Sequence, residues 1–425
     1  MNMYQEWGFK ETPFGTNPLL SNNSGEALLI GRNQDLLKIK RRISASSKIV
    51  TIEGANGIGK TSLINIASHQ LYKEYVGNGK DYFFIPCNVS FQLTPSKTSE
   101  DFIDEVLLNI AQTLIAKGKE LKKDGHVLNK YKEMDTWINA PQINTYNGNM
   151  SILTVGGGFG KTSENNTTPG FLRSGYRVRI LDWLKEIFPY NQNGGVICTI
   201  DNMELLETCD TARRLLEEYR DTIFQYEGIR WILCIISGFA SSPRLEGRLQ
   251  DPIQIKGITS EYISEVFASR IKAYAIDLTT VYLPITSEEF NNLYKILNNN
   301  LRNTLSYTDN YCLSIIEKSQ LPSSDAEKHD AFYEWLNDKS KCAINSVEGL
   351  FKKKSGKLFK DIIAKGGEFS LSDYALFGFN SLPAIRPHVV ELEKYSLITC
   401  SIQDSDKRRK LIQISPKGYL INYTL

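Results

Sequence analysis

The sequence is poor in the residues that build disulfide and metal sites. Its 425 residues include only seven cysteines and four histidines. The cysteines are scattered, odd in number and without a C-x-x-C pair, and the histidines are well separated. We therefore expect buried free thiols of a reduced cytosol, and the pattern disfavours both a disulfide framework and a zinc or histidine-based metal site.

Long apolar runs and an excess of one charge are missing as well. The longest apolar runs have the length of a strand, and the first 14 residues lack the basic and then apolar pattern of a signal peptide. We therefore expect a cytoplasmic protein without a membrane contact. The formal net charge is only +2, so any contact with nucleic acid must come from local basic patches. The length allows two or three domains.

What the sequence does contain is a loop suited to phosphate. The segment GANGIGKTS at 54–62 follows the β-branched run KIVTIE at 48–53 and opens a helical pattern. Glycines at this spacing let backbone N–H groups close on phosphate oxygens, while Lys60 supplies charge and Thr61 a hydroxyl for Mg²⁺. The strand–loop–helix context favours a nucleoside triphosphate site over a plain glycine-rich turn. The predicted nucleotide-binding residues of this loop are Gly54, Ala55, Asn56, Gly57, Ile58, Gly59, Lys60, Thr61 and Ser62.

Strand-like and helix-like segments alternate from about residue 48 to about residue 258. This alternation is typical of a parallel sheet wrapped by helices, so the predicted fold class is an α/β P-loop NTPase. Helical patterns at 99–121 and 177–188 have apolar positions three and four apart. The predicted strands lie at 48–53, 81–90, 195–202, 230–237 and 252–258.

Residues 122–175 interrupt the alternation. They are rich in Asn, Gly, Thr and Lys, and we interpret them as a mobile insertion on the nucleotide-binding domain. Within them, GGGFGKTS at 156–163 ends like the phosphate loop, but Val155 stands where the first glycine is needed and no helical pattern follows. We interpret this segment as a glycine-rich hairpin or loop without a nucleotide.

Asp201 is the predicted metal carboxylate. It ends an apolar strand, where a carboxylate can hold Mg²⁺ together with Thr61; the alternative is an aspartate of a strand-end turn. The next residue is Asn202, at the position where many ATPases carry a glutamate that polarises the attacking water. An amide can orient a water molecule but cannot accept its proton, so we expect slow hydrolysis.

Four more polar residues are candidates for acting on the nucleotide. Ser237 follows an apolar strand and can reach the terminal phosphate or the attacking water. Arg244 and Arg248 precede the strand at 252–258, where an arginine can project toward the nucleotide of a neighbouring subunit; plain surface arginines are the alternative. Arg302 opens a later helix and can reach back over the phosphates, with a surface salt bridge as the alternative.

The rest of the chain predicts a helical lid and a winged helix. Residues 259–318 read as short capped helices, and residues 347–425 as three helices, of which the short second one lies at 369–379, followed by two alternating strands. The third helix of a winged helix enters a major groove, and the wing grips phosphates. A protein-docking module is the alternative, since Glu391 and Glu393 lie in the third helix. The predicted DNA-contacting residues are Ser381, Arg386, His388, Lys407, Arg408, Arg409 and Lys410.

The order of these features resembles the AAA+ ATPases, most closely origin-recognition initiators and transposition regulators, with kinship to STAND signalling ATPases. The resemblance covers nearly the whole chain apart from residues 122–175. It implies ATP and Mg²⁺ as ligands, and it places Ile30 and Arg32 against the adenine. Residues 7–14, WGFKETPF, match the lead-in of such ATPases. The implied domains are an AAA+ domain at 1–258, a helical lid and linker at 259–340 and a winged-helix domain at 341–425.

Together these features predict an ATP-binding switch that closes or oligomerises with ATP and Mg²⁺ and carries a winged helix onto DNA. Replication or plasmid initiation, transposition target selection and anti-phage defence are settings consistent with this prediction. The rival is a STAND-like scaffold whose ATP-driven oligomer activates a partner effector protein and whose winged helix docks to protein. A metabolic P-loop kinase is disfavoured, because the lid and the winged helix are surplus to it.

Overall fold

The computed structural model describes most of the chain. The described residues are 3–45, 48–78, 83–94, 97–123, 128, 130–139, 173–189, 194–202, 209–235, 247–318, 320–351, 353–402 and 410–425. The segment at 156–163 and most of the predicted insertion at 122–175 lie outside them.

Parallel strands form the central sheet. Their order across the sheet is β2-β3-β4-β1-β5, and every neighbouring pair is parallel. All residues of three of the strands are buried, as expected for a parallel sheet with helices on both faces. The five predicted strands are confirmed, with bounds that differ by a few residues. They are Val50–Glu53 (β1), Phe83–Pro86 (β2), Gly194–Ile200 (β3), Ile229–Ile235 (β4) and Ile253–Gln254 (β5).

Helices cover this sheet and precede it. The described helices are Met3–Glu6 (α1), Asn23–Leu28 (α2), Asn33–Ala45 (α3), Lys60–Asn78 (α4), Ser99–Lys123 (α5), Tyr131–Asn139 (α6), Arg173–Ile187 (α7) and Cys209–Arg220 (α8). Apolar residues of α5 and α7 form one hydrophobic cluster with the sheet, and those of α3 and α4 form another. The sheet is therefore the middle layer of three.

Helix α6 lies inside the segment predicted to be a mobile insertion, and it belongs to the core. Tyr131 and Met134 are buried. Tyr131 packs so closely on α5 that a Cβ added at Gly118 would lie 2.4 Å from its own Cβ. Trp137 meets Trp183 of α7 edge to face, with ring centroids 5.4 Å apart. Tyr131, Met134 and Trp137 are three residues apart, a spacing that predicts a helix with one apolar face. The polar composition of the surrounding segment obscured this pattern in the sequence.

A helical lid follows the sheet and agrees with the predicted all-α pattern of 259–318. Its helices are Ile263–Tyr274 (α9), Ser287–Ile296 (α10), Leu301–Ile316 (α11) and Asp325–Asn345 (α12). Thr286 and Ser324 begin two of them with complete capping boxes. The N-terminal segment packs against the same helices through Met3, Tyr4, Trp7, Phe9 and Phe14. No described helix is long and apolar enough to span a bilayer.

The C-terminal module has winged-helix architecture with a three-stranded antiparallel sheet of order β6-β8-β7. Its elements are Lys354–Ala364 (α13), Glu368–Ser370 (β6), Leu382–Lys394 (α14), Ile398–Ile402 (β7), Lys410–Ile414 (β8) and Pro416–Thr424 (α15). The predicted short helix at 369–379 is present as a 3₁₀ helix, Leu371–Phe377, but its first two predicted residues belong to the sheet, where Phe369 pairs with Ile412. The Asp373 carboxylate accepts the Ser370 N–H at 3.1 Å where the strand passes into this helix.

The last helix joins this module to the lid. Leu420 of α15 lies in the hydrophobic cluster of the lid, and Ile421 lies in that of the winged helix. The Tyr419 hydroxyl accepts a hydrogen bond from Asn298 Nδ2 at 2.8 Å. Asn298 and Asn299, both with left-handed φ, end α10 just before α11 begins. The winged helix is thus fastened to the turn that leads into α11. The predicted domain boundaries at 258 and 340 stay a prediction.

Candidate nucleotide-binding site

The phosphate loop lies between the carboxyl end of β1 and the start of α4. Gly57 has φ +82° and Gly59 has φ +99°, a region that glycine enters without the steric cost of a side chain. Helix α4 begins at Lys60, so its free N–H groups and the positive end of its dipole adjoin the loop. That arrangement favours an anion.

Lys60 places a buried positive charge in this loop. Only 7% of the residue is exposed, and its ammonium donates to the carbonyl oxygens of Gly54 at 2.8 Å and Ala55 at 3.3 Å. These contacts keep the charge against the loop, where low exposure strengthens its attraction for a phosphate oxygen.

Thr61 and Asp201 meet at the carboxyl ends of the strands, as predicted. The Thr61 hydroxyl donates to Asp201 Oδ2 at 2.5 Å, although 140 positions separate the two residues. Asp201 is 8% exposed, and its other oxygen accepts the Asn202 N–H at 2.9 Å. A hydroxyl beside a buried carboxylate is a donor set that suits Mg²⁺. Thr61 and Asp201 would hold that ion, which when bound neutralises phosphate charge.

Asn202 adopts a left-handed backbone with φ +56°. Asparagine tolerates this region better than most residues, whereas a glutamate at this position would be strained. The backbone therefore gives a physical reason for the amide where a glutamate is common.

These groups border one open cleft of about 580 Å³, a volume that includes the solvent space at its mouth. The predicted residues that line it are Asn56, Gly57, Gly59, Lys60, Thr61, Ser62, Asp201, Asn202 and Arg302. Sequence reasoning missed six other lining residues, namely Thr16, Asn17, Pro18, Arg270, Leu301 and Leu305. Three of these residues precede α2 and three belong to the lid. Two segments that are remote from the phosphate loop in sequence therefore border the open cleft.

The first turn of α11 touches the phosphate loop directly. Asn300 Nδ2 donates to the Asn56 carbonyl at 2.7 Å, and the Arg302 N–H donates to the Gly57 carbonyl at 3.3 Å. A Cβ added at Gly57 would lie 2.6 Å from Asn300 Oδ1. The loop and the lid are therefore in direct contact beside the cleft that Asn56, Gly57 and Arg302 line.

Exchanging single glycines tests this contact. In the free protein, Gly57→Ala should speed hydrogen exchange at the first turn of α11, because the new methyl group pushes Asn300 away. Gly59→Ala is the matched control, since its φ is equally unfavourable but nothing lies within 4 Å of its added Cβ. Both variants should lose about 1–2 kcal/mol of unfolding free energy from left-handed backbone strain. Equal exchange rates in α11 would contradict the contact.

Arg32 lies beside the loop, and neither Ile30 nor Arg32 lines the cleft. Arg32 is buried and donates from Nη2 to the Ile58 carbonyl at 3.0 Å and from Nη1 to Asp35 at 3.0 Å. Ile30 packs against the hydrophobic cluster of the lid. Their predicted contact with adenine stays a prediction. In the structure, the hydrogen bond of Arg32 to the Ile58 carbonyl stabilises the phosphate loop.

The remaining predicted catalytic residues are more distant or not described. Ser237 and Arg244 lie outside the described residues. Arg248 is exposed, and its carbonyl accepts the Ile49 N–H at 2.9 Å. That contact lies at the amino end of β1, whereas the loop follows its carboxyl end. The backbone of Arg248 therefore lies at the opposite end of β1 from the cleft, and its role toward a neighbouring subunit stays a prediction.

The predicted DNA-contacting residues are only partly described. Arg386 is exposed on α14, and Ser381 precedes that helix as its N-cap. His388 Nδ1 lies 2.8 Å from Ser355 Oγ of α13, so one ring nitrogen faces the module. The backbone of Lys410 begins β8, and Lys407, Arg408 and Arg409 lie outside the described residues.

The fold and the site define the class of protein. The sheet order, the loop after β1, the helical lid and the winged helix confirm the predicted α/β P-loop NTPase fold of the AAA+ type. No protein-family model matches the chain, and no curated protein is significantly similar to it.

The chain is similar in fold to several solved structures. They include the Orc1 protein of Aeropyrum pernix in complex with DNA, with 10% identity, TM-score 0.41 and 94% and 96% of the two chains covered. Cdc6p of Pyrobaculum aerophilum has 12% identity, TM-score 0.39 and coverage of 97% and 96%. Drosophila ORC bound to DNA has 11% identity, TM-score 0.35 and coverage of 97% and 92%. Kinship to STAND ATPases stays a prediction.

Proposed function

We propose that this protein is a switch that binds ATP and Mg²⁺ at the phosphate loop, closes or assembles in response, and engages DNA through its winged helix. One observation carries the proposal: Lys60, the Thr61–Asp201 pair and the first turn of α11 all border the same cleft. The cleft thereby joins a phosphate site to a separate structural element. Adenine is proposed from the resemblance, since no guanine-reading Asn-Lys-x-Asp run is present in the sequence.

Occupancy of the phosphate site would change the lid. Asn300 and Arg302 contact the loop carbonyls of Asn56 and Gly57, and Arg302 also lines the cleft. Phosphates that bind to the loop must share this space with the first turn of α11, so the position of the lid depends on the ligand. Slow hydrolysis fits such a switch, because Asn202 cannot accept a proton from water.

Exposed lysines on the winged helix support the DNA part of the proposal. Lys354, Lys357 and Lys360 of α13 are exposed, and they lie on one face because they are three residues apart. Glu391, an acid in the third helix, is paired with Lys353 at 2.7 Å and accepts from Ser355 Oγ at 2.5 Å. Its charge is therefore compensated within the module, and contacts to phosphate would dominate over base reading.

A second candidate is the signalling scaffold, in which the winged helix binds protein. Val390 on α14 is 56% exposed, and Leu376 in the preceding 3₁₀ segment is 64% exposed. Pro387 is also exposed on α14. Exposed apolar side chains on α14, the third helix of the module, and beside it favour a protein contact more than a phosphate contact.

Mass photometry of the full chain tests both candidates. For the proposed switch, a non-hydrolysable ATP analogue with Mg²⁺ should raise the measured mass, and added duplex oligonucleotide should raise it further. A rise that the duplex leaves unaltered would support the scaffold. No response to the analogue in mass or in calorimetry would overturn the proposal.

Charge reversal on the wing tests the DNA contact. Arg408→Glu with Arg409→Glu should lower duplex affinity and reduce the slope of log K against log salt by about 1.8, because two phosphate contacts are lost. Lys38→Glu with Arg41→Glu is the control, since both residues are exposed on α3, far along the chain from the wing. Fluorescence anisotropy over a salt series measures both values. Equal slopes for wild type and wing variant would favour docking to protein.

A further inference from the structure

A segment at 12–21, here called the strap, crosses the cleft between the lid and the phosphate-loop helix. At the lid end, Thr12 Oγ1 donates to Asp309 Oδ1 of α11 at 3.0 Å, and the Tyr4 hydroxyl donates to the same oxygen at 2.6 Å. The N-terminal segment is thus tied to the helix whose first turn meets the loop.

At the other end the strap is bound to α4. The Leu19 N–H donates to Ser62 Oγ at 3.1 Å, and Asn65 Nδ2 donates to the Leu19 carbonyl at 2.8 Å. Ser21 Oγ donates to the Asn65 carbonyl at 2.9 Å. Between its two attachments the strap exposes Thr16 and Asn17, which line the cleft. The strap therefore lies where a ligand of the loop would contact it.

Arg270 of α9 holds the middle of the strap. Its Nη1 donates to the carbonyl oxygens of Pro13 at 2.9 Å and Gly15 at 3.1 Å. These carbonyl oxygens satisfy the donors of Nη1, but they carry no full negative charge and therefore do not neutralise the guanidinium.

The charge of Arg270 has no counter-ion among the residues that the structure describes. The residue is only 6% exposed, none of the described residues forms an ion pair with it, and its buried Nε has no hydrogen-bond partner among them. Burial lowers the pKa of Arg270 from its ordinary value, yet an arginine stays protonated at neutral pH. Buried charges are ordinarily paired, so this cation requires an anion from elsewhere.

The cleft provides the place for that anion. Arg270 lines the cleft together with Lys60 and Arg302, so three cations from the loop and from two lid helices border one space. The phosphates are the anionic part of a nucleotide, and a guanidinium offers several donors in a fixed plane to phosphate oxygens.

We propose that Arg270 is a further nucleotide-binding residue, whose guanidinium contacts the phosphates of the bound nucleotide while Nη1 holds the strap. This inference rests on the proposed function, because it requires a triphosphate in the cleft. The consequence of this contact is that the bound ligand holds the strap more firmly in place. Arg270 thereby gives the lid a second phosphate contact, on α9, that is separate from Arg302 on α11.

Calorimetry with ATP and with tripolyphosphate tests the contact, since tripolyphosphate carries the charge without the base. Arg270→Gln should weaken both ligands by roughly tenfold or more, the loss of about one charge-assisted hydrogen bond. Arg270→Lys should recover part of the affinity, because it restores the charge without the planar fork. Arg41→Gln, at an exposed arginine of α3, should leave both affinities unchanged.

The alternative is that Arg270 only holds the strap and does not contact the ligand. In that case Arg270→Gln would have a lower thermal stability without ligand but wild-type affinity for both ligands, and that result would overturn the inference. Hydrogen exchange of the wild-type chain gives a test that needs no variant. ATP and tripolyphosphate should each slow exchange of the amides at 16–21, and unchanged exchange at saturating ligand would also overturn it. Absence of ATP binding by the wild type would instead overturn the proposed function.

Discussion

Lys60→Ala should weaken ATP binding by roughly a hundredfold, about 3 kcal/mol, because it removes a buried charge from the proposed phosphate site. The ammonium already lies 2.8 Å from the Gly54 carbonyl in the loop, so little reorganisation is needed when the ligand enters. Calorimetric titration of ATP in the presence of Mg²⁺ measures the change.

Lys73→Ala is the matched control for this substitution. Lys73 lies on the same helix, is exposed, and pairs with Glu26 at 3.0 Å; its loss should leave ATP affinity at the wild-type value. Thermal unfolding of the free variants separates a folding defect from a binding defect, because Lys60→Ala also leaves two loop carbonyls without their donor. Wild-type affinity in a folded Lys60→Ala protein would exclude the phosphate loop as the nucleotide site.

Asp201→Asn should remove most of the gain in ATP affinity that Mg²⁺ produces, at least about tenfold. The amide has nearly the shape of the carboxylate and can still accept the hydrogen bond that Thr61 donates at 2.5 Å, so the fold should persist. Loss of the negative charge should weaken the binding of Mg²⁺, because carboxylate oxygens are preferred ligands of this ion. ATP affinity measured with Mg²⁺ and with EDTA gives the ratio directly.

The control is Asp338→Asn, at an exposed aspartate of α12. Its ratio of affinities with and without Mg²⁺ should equal that of the wild type. In Asp201→Asn, affinity in EDTA should stay the same or rise, because one negative charge near the phosphates is gone. An undiminished Mg²⁺ effect would show that Asp201 is a turn residue and not a metal ligand.

The contiguous part of the site was the part that sequence could predict. The loop at 54–62 is one uninterrupted motif, and Asp201 follows a strand in which Thr199 is the one polar side chain. Carboxyl ends of parallel strands share an edge, so the meeting of Asp201 with Thr61 followed from the fold class. The structure adds the distance and the burial to that expectation.

The distant part of the site could not be predicted, because its residues carry no local pattern. Arg270 lies on an ordinary lid helix, and Thr16 and Asn17 lie in an irregular segment; only tertiary packing brings them to the loop. The strand β6 was missed for a related reason, since its three residues are defined by pairing with β8 more than by their own sequence.

The hydrogen bond between Asn298 and Tyr419 links the two ends of the proposed switch. The turn that holds Asn298 continues into Asn300, which contacts the phosphate loop at Asn56. A single short path therefore connects the nucleotide cleft to the last helix of the chain. Coupling between two binding sites is reciprocal. If nucleotide changes the affinity of the C-terminal module for a duplex by some factor, the bound duplex must change the affinity for nucleotide by the same factor.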